Sequence, residues 1–191
     1  MKAWTIEAPG VGKLGVAIAG LVLPLGLNLE EALAQLRTQG GLAMQLVDWR
    51  AVASPLHVLQ ASALAYKAFK EDRMVSRSLS MELLLYIAGE RQIKEAIAKV
   101  GAREGRVVAI CLADGEKEAV RRLAEAVRRL RATEDDALIE LSPVKAEEVA
   151  RRFNISEEEL EASRAEGEGY LEALAKCVAN RVAELDVEKE A

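Results

Sequence analysis

Few residues in this chain have the type and spacing for covalent chemistry. Gly10-Val11-Gly12-Lys13 carries the last glycine and the lysine of a phosphate-binding loop, in which backbone N–H groups cradle phosphates and a lysine reaches over them. That motif needs another glycine where Glu7 stands, and Leu14 replaces the Ser or Thr that would hold magnesium, so the segment reads as a turn. His57 is the single histidine, with no cysteine or carboxylate at metal-ligand spacing, and reads as packed or solvated. Cys111 and Cys177 are far apart and in no CxxC pair, which leaves neither a disulfide framework nor a zinc site to read. Glu134-Asp135-Asp136 and Glu157-Glu158-Glu159 could hold a cation, but carboxylates are favoured at helix starts without any metal. No general base, catalytic set or metal set is legible. The segment that points to a ligand is Gly89-Glu90-Arg91-Gln92-Ile93-Lys94, where a helix N-terminus lies beside two bases and could receive a phosphate. A plain connector between two core helices needs glycine and polar residues as well, so both readings stand on the residues alone.

The elements that must position this segment follow from period and punctuation. Trp4 to Ile6 and Leu14 to Leu23 predict two strands joined by the turn Pro9 to Gly12. Asn28 with Glu31 makes a capping box for a helix through Leu36 that Gly40-Gly41 stops, and a third strand follows at Leu42 to Val47. Ser54-Pro55 opens a helix to about Lys70, apolar over much of its circumference. Ser78 opens another that ends at Gly89, and Ile93 to Val100 is a short helix closed by Gly101. Arg106 to Ala113 is a continuous, β-branched apolar run, predicted as a central strand with Cys111 in its core. The helix from Glu116 to Arg131 turns Val120, Leu123, Val127 and Leu130 inward, with Glu118/Arg122 and Glu125/Arg129 as supporting pairs. Ser142-Pro143 starts a helix to Phe153, and Ser156 with Glu159 caps the next, with Ile155 against Leu160 as its hydrophobic staple. Gly167 and Gly169 break the pattern before a last helix, about Tyr170 to Asp186. The fold class expected is α/β: a single mixed sheet of about four strands packed with helices, followed by a C-terminal helical segment. Residues 1–191 read as one domain, 1–132 its sheet-and-helix core and 133–191 its acidic helical part.

Composition narrows the function classes. The chain has 191 residues, 51% hydrophobic and 30% charged, so it has the means to build a core and lies far from disordered compositions. The net charge of −5 excludes bulk electrostatic binding of nucleic acid, so any RNA contact must be local. Residues 133–191 hold 17 acids against seven bases, whereas residues 67–106 hold nine bases against six acids. Leu14 to Leu27 is too short to span a bilayer and contains Pro24, and Glu7, Pro9 and Lys13 break signal-peptide geometry. A cytoplasmic protein without a membrane segment is expected, and two unpaired cysteines suit a reducing compartment.

Ser80-Met81-Glu82-Leu83-Leu84-Leu85-Tyr86-Ile87-Ala88-Gly89-Glu90-Arg91-Gln92-Ile93-Lys94-Glu95-Ala96-Ile97, preceded by Leu56-His57-Val58-Leu59 and by Ala63 to Phe69, resembles the PRPK-binding (TPRKB-type) accessory subunit of the KEOPS complex in its archaeal form. The likeness continues through 106–113 and recurs in Phe153-Asn154-Ile155-Ser156-Glu157-Glu158-Glu159-Leu160 and in Arg181-Val182-Ala183-Glu184-Leu185. Ala88 stands where family members usually show serine. The resemblance implies a small α/β protein without catalytic residues or a cofactor. It implies attachment to the kinase-like ATPase subunit of KEOPS, and through it to the rest of the complex, which makes threonylcarbamoyladenosine in tRNA. It also implies a hold on the single-stranded 3′ CCA end of the tRNA. Carried onto this chain, Gly89, Arg91, Gln92, Ile93 and Lys94 become the RNA contact. The last helix becomes the kinase contact through Leu174, Val178, Val182 and Leu185, although packing of that stripe inside the protein is the competing expectation. The alternative function is a purely protein-binding regulator of the kinase-like subunit without RNA contact.

Overall fold

A continuous apolar run stays in water-free surroundings only when both of its sides are covered, and the two longest runs of this chain are covered on both. The computed structural model describes residues 1–8, 12–37, 41–103 and 105–190. Strand β2 (Gly12–Val22) alternates Leu14, Val16 and Ile18 toward one face with Ala17, Ala19 and Leu21 toward the other, and all six are buried. Strand β4 (Arg106–Ala113) does the same with Val108, Ile110 and Leu112 against Val107, Ala109 and Cys111. With β1 (Lys2–Ala8) and β3 (Ala43–Asp48) they form one sheet in the order β1-β2-β4-β3. The four expected strands are thus in one sheet. Where a mixed sheet is expected, the pairings among the described residues are all antiparallel, because β3 runs in the direction of β2 one position away and β4 fills the slot between them. A further two-residue strand, β5 (Thr133–Glu134), pairs with the end of β2. Gly20 permits it: a Cβ there would stand 2.0 Å from the Asp135 carbonyl oxygen, and the Gly20 carbonyl accepts from Asp135 N–H at 2.8 Å.

Helices lie on both faces of the sheet, and on one of them a second helical layer covers the first. On one face are α1 (Leu29–Arg37) and, later in the chain, α5 (Glu116–Leu130), whose Leu123, Val127 and Leu130 are buried while Val120 is half-buried. The expected Glu118–Arg122 and Glu125–Arg129 pairs form at 2.6 and 2.5 Å. The other face carries α2 (Pro55–Lys70), α3 (Leu79–Ala88), α4 (Ile93–Val100), α6 (Pro143–Phe153), α7 (Glu157–Ser163) and α8 (Tyr170–Glu190). The caps are those the residues announce. Ser54 Oγ accepts from His57 N–H, Ser78 Oγ from Met81 N–H and Ser156 Oγ from Glu159 N–H, while Asn28 accepts from Glu30 and Glu31 N–H. Ser142 makes no side-chain cap bond, and Pro143 alone marks that start. Helix α8 continues one turn beyond the Asp186 expected as its end. The apolar stretch 137–141 contributes a one-turn 3-10 helix, Asp136–Leu138, with Leu138 and Ile139 buried. The turn at Pro9 to Val11 and the stop at Gly40 lie outside the described residues.

His57 is a packing residue. It is fully buried, donates from Nε2 to the Ile87 carbonyl at 3.0 Å, accepts at Nδ1 from Ala53 N–H and meets Phe153 edge to face. Burial holds its pKa down at about 4, so it is neutral near pH 7 and ties α2 to the last turn of α3. Cys111 lies in the core, where burial pushes its thiol up to about 12. No helix among the described residues is long and apolar enough to cross a membrane.

Candidate nucleic-acid and partner interface

The loop between α3 and α4 is built from its glycine outward. Gly89 closes α3 in the left-handed conformation, φ 60°, and its N–H donates to the Tyr86 carbonyl. A Cβ there would also stand 3.3 Å from the Arg181 carbonyl of α8, so conformation and space both favour glycine. The residues that follow point outward: Arg91, Gln92, Ile93 and Lys94 are all exposed. Glu90 is occupied by Lys99 at 2.8 Å. Among the described residues neither Arg91 nor Lys94 has a carboxylate within ion-pair distance. Gln92 is the N-cap residue of α4 but makes no side-chain cap bond, which leaves the first N–H groups of that helix to solvent or a ligand. The structure therefore brings the five expected RNA-contact residues together as one exposed, locally cationic turn, with Gly89 as its hinge and not its surface.

Ile93 also lines a groove of about 580 Å³ between the outer edge of β3 and the start of α3. Leu42, Met44, Val75 and Met81 line the groove with it, and exposed Arg77 brings a charge to it. Ser80 closes part of the strand edge, its Oγ accepting from Met44 N–H at 3.3 Å. Val75 and Arg77 are the residues that sequence reasoning missed. The one available signal was an exposed valine in the polar connection before Ser78, 18 residues ahead of Ile93. An apolar groove of this volume with guanidinium and ammonium groups near its rim can hold a flat ring and an attached anion. Its described lining offers binding groups: apolar side chains, three serines and the Arg77 guanidinium.

The stripe on α8 is elsewhere. Leu174, Val178 and Val182 are 0% exposed and Leu185 is 3% exposed, all inside the core that α8 shares with α2 and α3. The expectation that these four side chains face a partner is corrected here. Helices α2 and α3 are apolar around most of their circumference, so the sheet covers one side and a second layer must cover the other, and α8 is that layer. Asp186 fixes it in place: the Tyr86 hydroxyl donates to one carboxylate oxygen at 2.7 Å and Lys67 lies 3.3 Å from the other. Burial and the Asp186 charge push the Tyr86 phenol upward, so it remains a donor. The surface left beside the stripe carries exposed Val187 on α8 and exposed Phe69 at the end of α2, two residues from Lys67.

Comparison with known proteins gives the family. The regulatory protein Cgi121 of Methanocaldococcus jannaschii is 32% identical over 115 residues, 60% of this chain and 72% of that protein. The KEOPS complex subunit Cgi121 of Pyrococcus abyssi is 34% identical over 96 residues, 50% of this chain and 53% of that protein. Residues 27–184 match the family described as kinase binding protein CGI-121, a span that includes the α3–α4 loop, the groove and α8 as far as Glu184. With that match over most of its length, the chain belongs to the kinase-binding CGI-121 family.

Proposed function

We propose that this protein is a cytoplasmic, non-catalytic accessory subunit of a KEOPS-type complex that binds its kinase-like ATPase subunit and the 3′ CCA end of tRNA. In that role it supports threonylcarbamoyladenosine modification without a cofactor or metal of its own. Family membership and the name of the Pyrococcus relative support the complex and the kinase partner. The observation that carries the RNA part is the turn at 89–94, where two unpaired bases and an uncapped helix start meet the rim of an apolar groove. Bases of a single strand would enter the groove between Ile93 and Arg77, and the adjoining phosphates would lie on Arg91, Lys94 and the free N–H groups of α4. With the α8 stripe buried, the kinase contact falls to exposed residues beside it, Phe69 and Val187 among them.

The test is charge reversal in the loop. Arg91→Glu replaces a phosphate contact by repulsion, so tRNA affinity falls about tenfold or more and the salt dependence of binding loses about one unit of slope. The side chain is exposed, so melting and co-purification with the kinase-like subunit stay as in the parent. Unchanged tRNA affinity on reversal of Arg91, alone or with Lys94, makes the loop a connector and leaves the purely protein-binding reading.

A further inference from the structure

Where β3 ends and β4 begins, one buried carboxylate faces three guanidiniums. Asp48, its side chain 1% exposed, accepts from Arg152 at 2.7 Å and lies 3.7 Å from Arg103 and 3.8 Å from Arg50. Arg152 is itself nearly buried and bonded to Glu148 and the Lys99 carbonyl, so it satisfies Asp48 and is spent on structure. Arg50 and Arg103 are 50% and 62% exposed, and their longer contacts leave most of their donors free. Trp49, half-buried beside them, has the Arg50 guanidinium 5.2 Å and the Arg106 guanidinium 5.9 Å from its ring centre. Arg106 is exposed, and among the described residues it meets no carboxylate at ion-pair distance. Of the nearby acids, Glu148 is held by Arg151 and Arg152, Glu140 by Lys2 and Glu90 by Lys99, which leaves exposed Glu95, in the same hollow as Arg103, as a single carboxylate against the three guanidiniums. A local surplus of positive charge therefore stands on a protein whose net charge is −5.

We propose that Arg50, Arg103 and Arg106, arranged around Trp49 and Asp48, form a second RNA contact that grips the sugar–phosphate backbone of the tRNA outside its CCA end. This inference rests on the RNA reading above and extends it to a new surface. Arginines stacked on an indole and braced by a buried carboxylate keep their planar N–H edges turned to solvent, and bidentate phosphate binding uses those edges. Bracing also lowers the entropy lost when each side chain takes hold. Continuity places the patch on the same ligand. The bridge between Val47 and Gly101 sets the end of α4 against the end of β3, and α4 begins at Ile93. Its eight residues span roughly 12 Å at 1.5 Å per residue, so one nucleic acid can reach both ends of the helix. An acidic protein partner also fits the charge. The exposed part of the patch is cationic rather than apolar, with its one aromatic ring under its own guanidiniums, and that suits backbone phosphates better than the apolar centre of a protein interface.

The experiment measures binding of the full chain to whole tRNA and to tRNA trimmed of its CCA end over a range of salt. In Arg50→Glu/Arg106→Glu, affinity for whole tRNA falls by about tenfold or more at low salt, and the slope of log affinity on log salt drops by roughly two units. The weaker binding of the trimmed tRNA falls by a similar factor, because the patch acts outside the 3′ end. Arg50→Gln/Arg106→Gln guards against harm from the new carboxylates and shows the same slope change with a smaller loss. Affinity and slope unchanged in both variants overturn the proposal. So does a variant that keeps its tRNA binding and no longer co-purifies with the kinase-like subunit, which assigns the patch to a protein. If Arg91→Glu weakens binding and the Arg50/Arg106 variants do not, this inference falls and the RNA reading stands. If the parent protein binds no tRNA, both fall.

Discussion

Val182→Arg is expected to destabilise the isolated protein strongly rather than to strip a partner from a folded one of normal stability. Val182 is 0% exposed, in the layer where α8 packs on α2 and α3, with Val178 and Leu185 on the same stripe. A guanidinium there meets apolar side chains, and the carboxylate one turn away, Asp186, is already committed to Tyr86 and Lys67; an uncompensated buried charge costs about 3–5 kcal/mol. Against a total stability on the order of 5–15 kcal/mol, that lowers the melting temperature by roughly 10 °C or more for a chain of this size. Circular dichroism of the isolated protein reads it directly. A normal melting curve together with lost co-purification of the kinase-like subunit means the opposite: Val182 then faces the partner and α8 sits differently.

Asp48→Ala is the second change with a large expected effect. Asp48 accepts from Arg50 N–H at the start of the one-turn helix after β3, and its other oxygen holds Arg152 from α6, 104 residues away. Its loss leaves the nearly buried Arg152 with Glu148 and the Lys99 carbonyl, and removes the ion pair that ties the end of β3 to α6. Removing one partner of such a pair costs about 3–5 kcal/mol, whereas an exposed, solvent-screened pair such as Lys13–Glu7 contributes little. Urea unfolding gives the comparison, with Glu7→Ala as the exposed control. Equal midpoints for the two variants contradict this account of Asp48.

These two residues also show where the sequence runs out as a guide. Ser54-Pro55, Ser78, Gly89 and Ser156 act over three or four residues, so their caps were legible before any fold was known. The runs in β2 and β4 were legible because strands covered on both faces need no alternation. The α8 stripe announced a buried face but not what buries it, since periodicity carries no information about the opposing surface. Proximity to the chain end suggested a partner, and the apolar circumference of α2 and α3 outweighed it. The Asp48–Arg152 pair, the approach of Asp135 to Gly20 and the meeting of Val75 and Arg77 with Ile93 depend on tertiary placement. In the candidate site, the loop at 89–94 was readable as a cationic helix start, while the groove beside it needed β3 and the start of α3 to come together.

The central claim, that the surface around this loop holds the single-stranded end of a tRNA, is tested most directly by titrating the unmodified full chain with whole tRNA and with the same tRNA lacking CCA. A groove lined by Ile93 and Val75 and flanked by Arg77, Arg91 and Lys94 predicts tighter binding of whole tRNA, by at least about tenfold, since each stacked base is worth about 1–3 kcal/mol. Equal affinity for the two RNAs contradicts recognition of the 3′ end, and no binding of either leaves a protein that meets only its kinase partner.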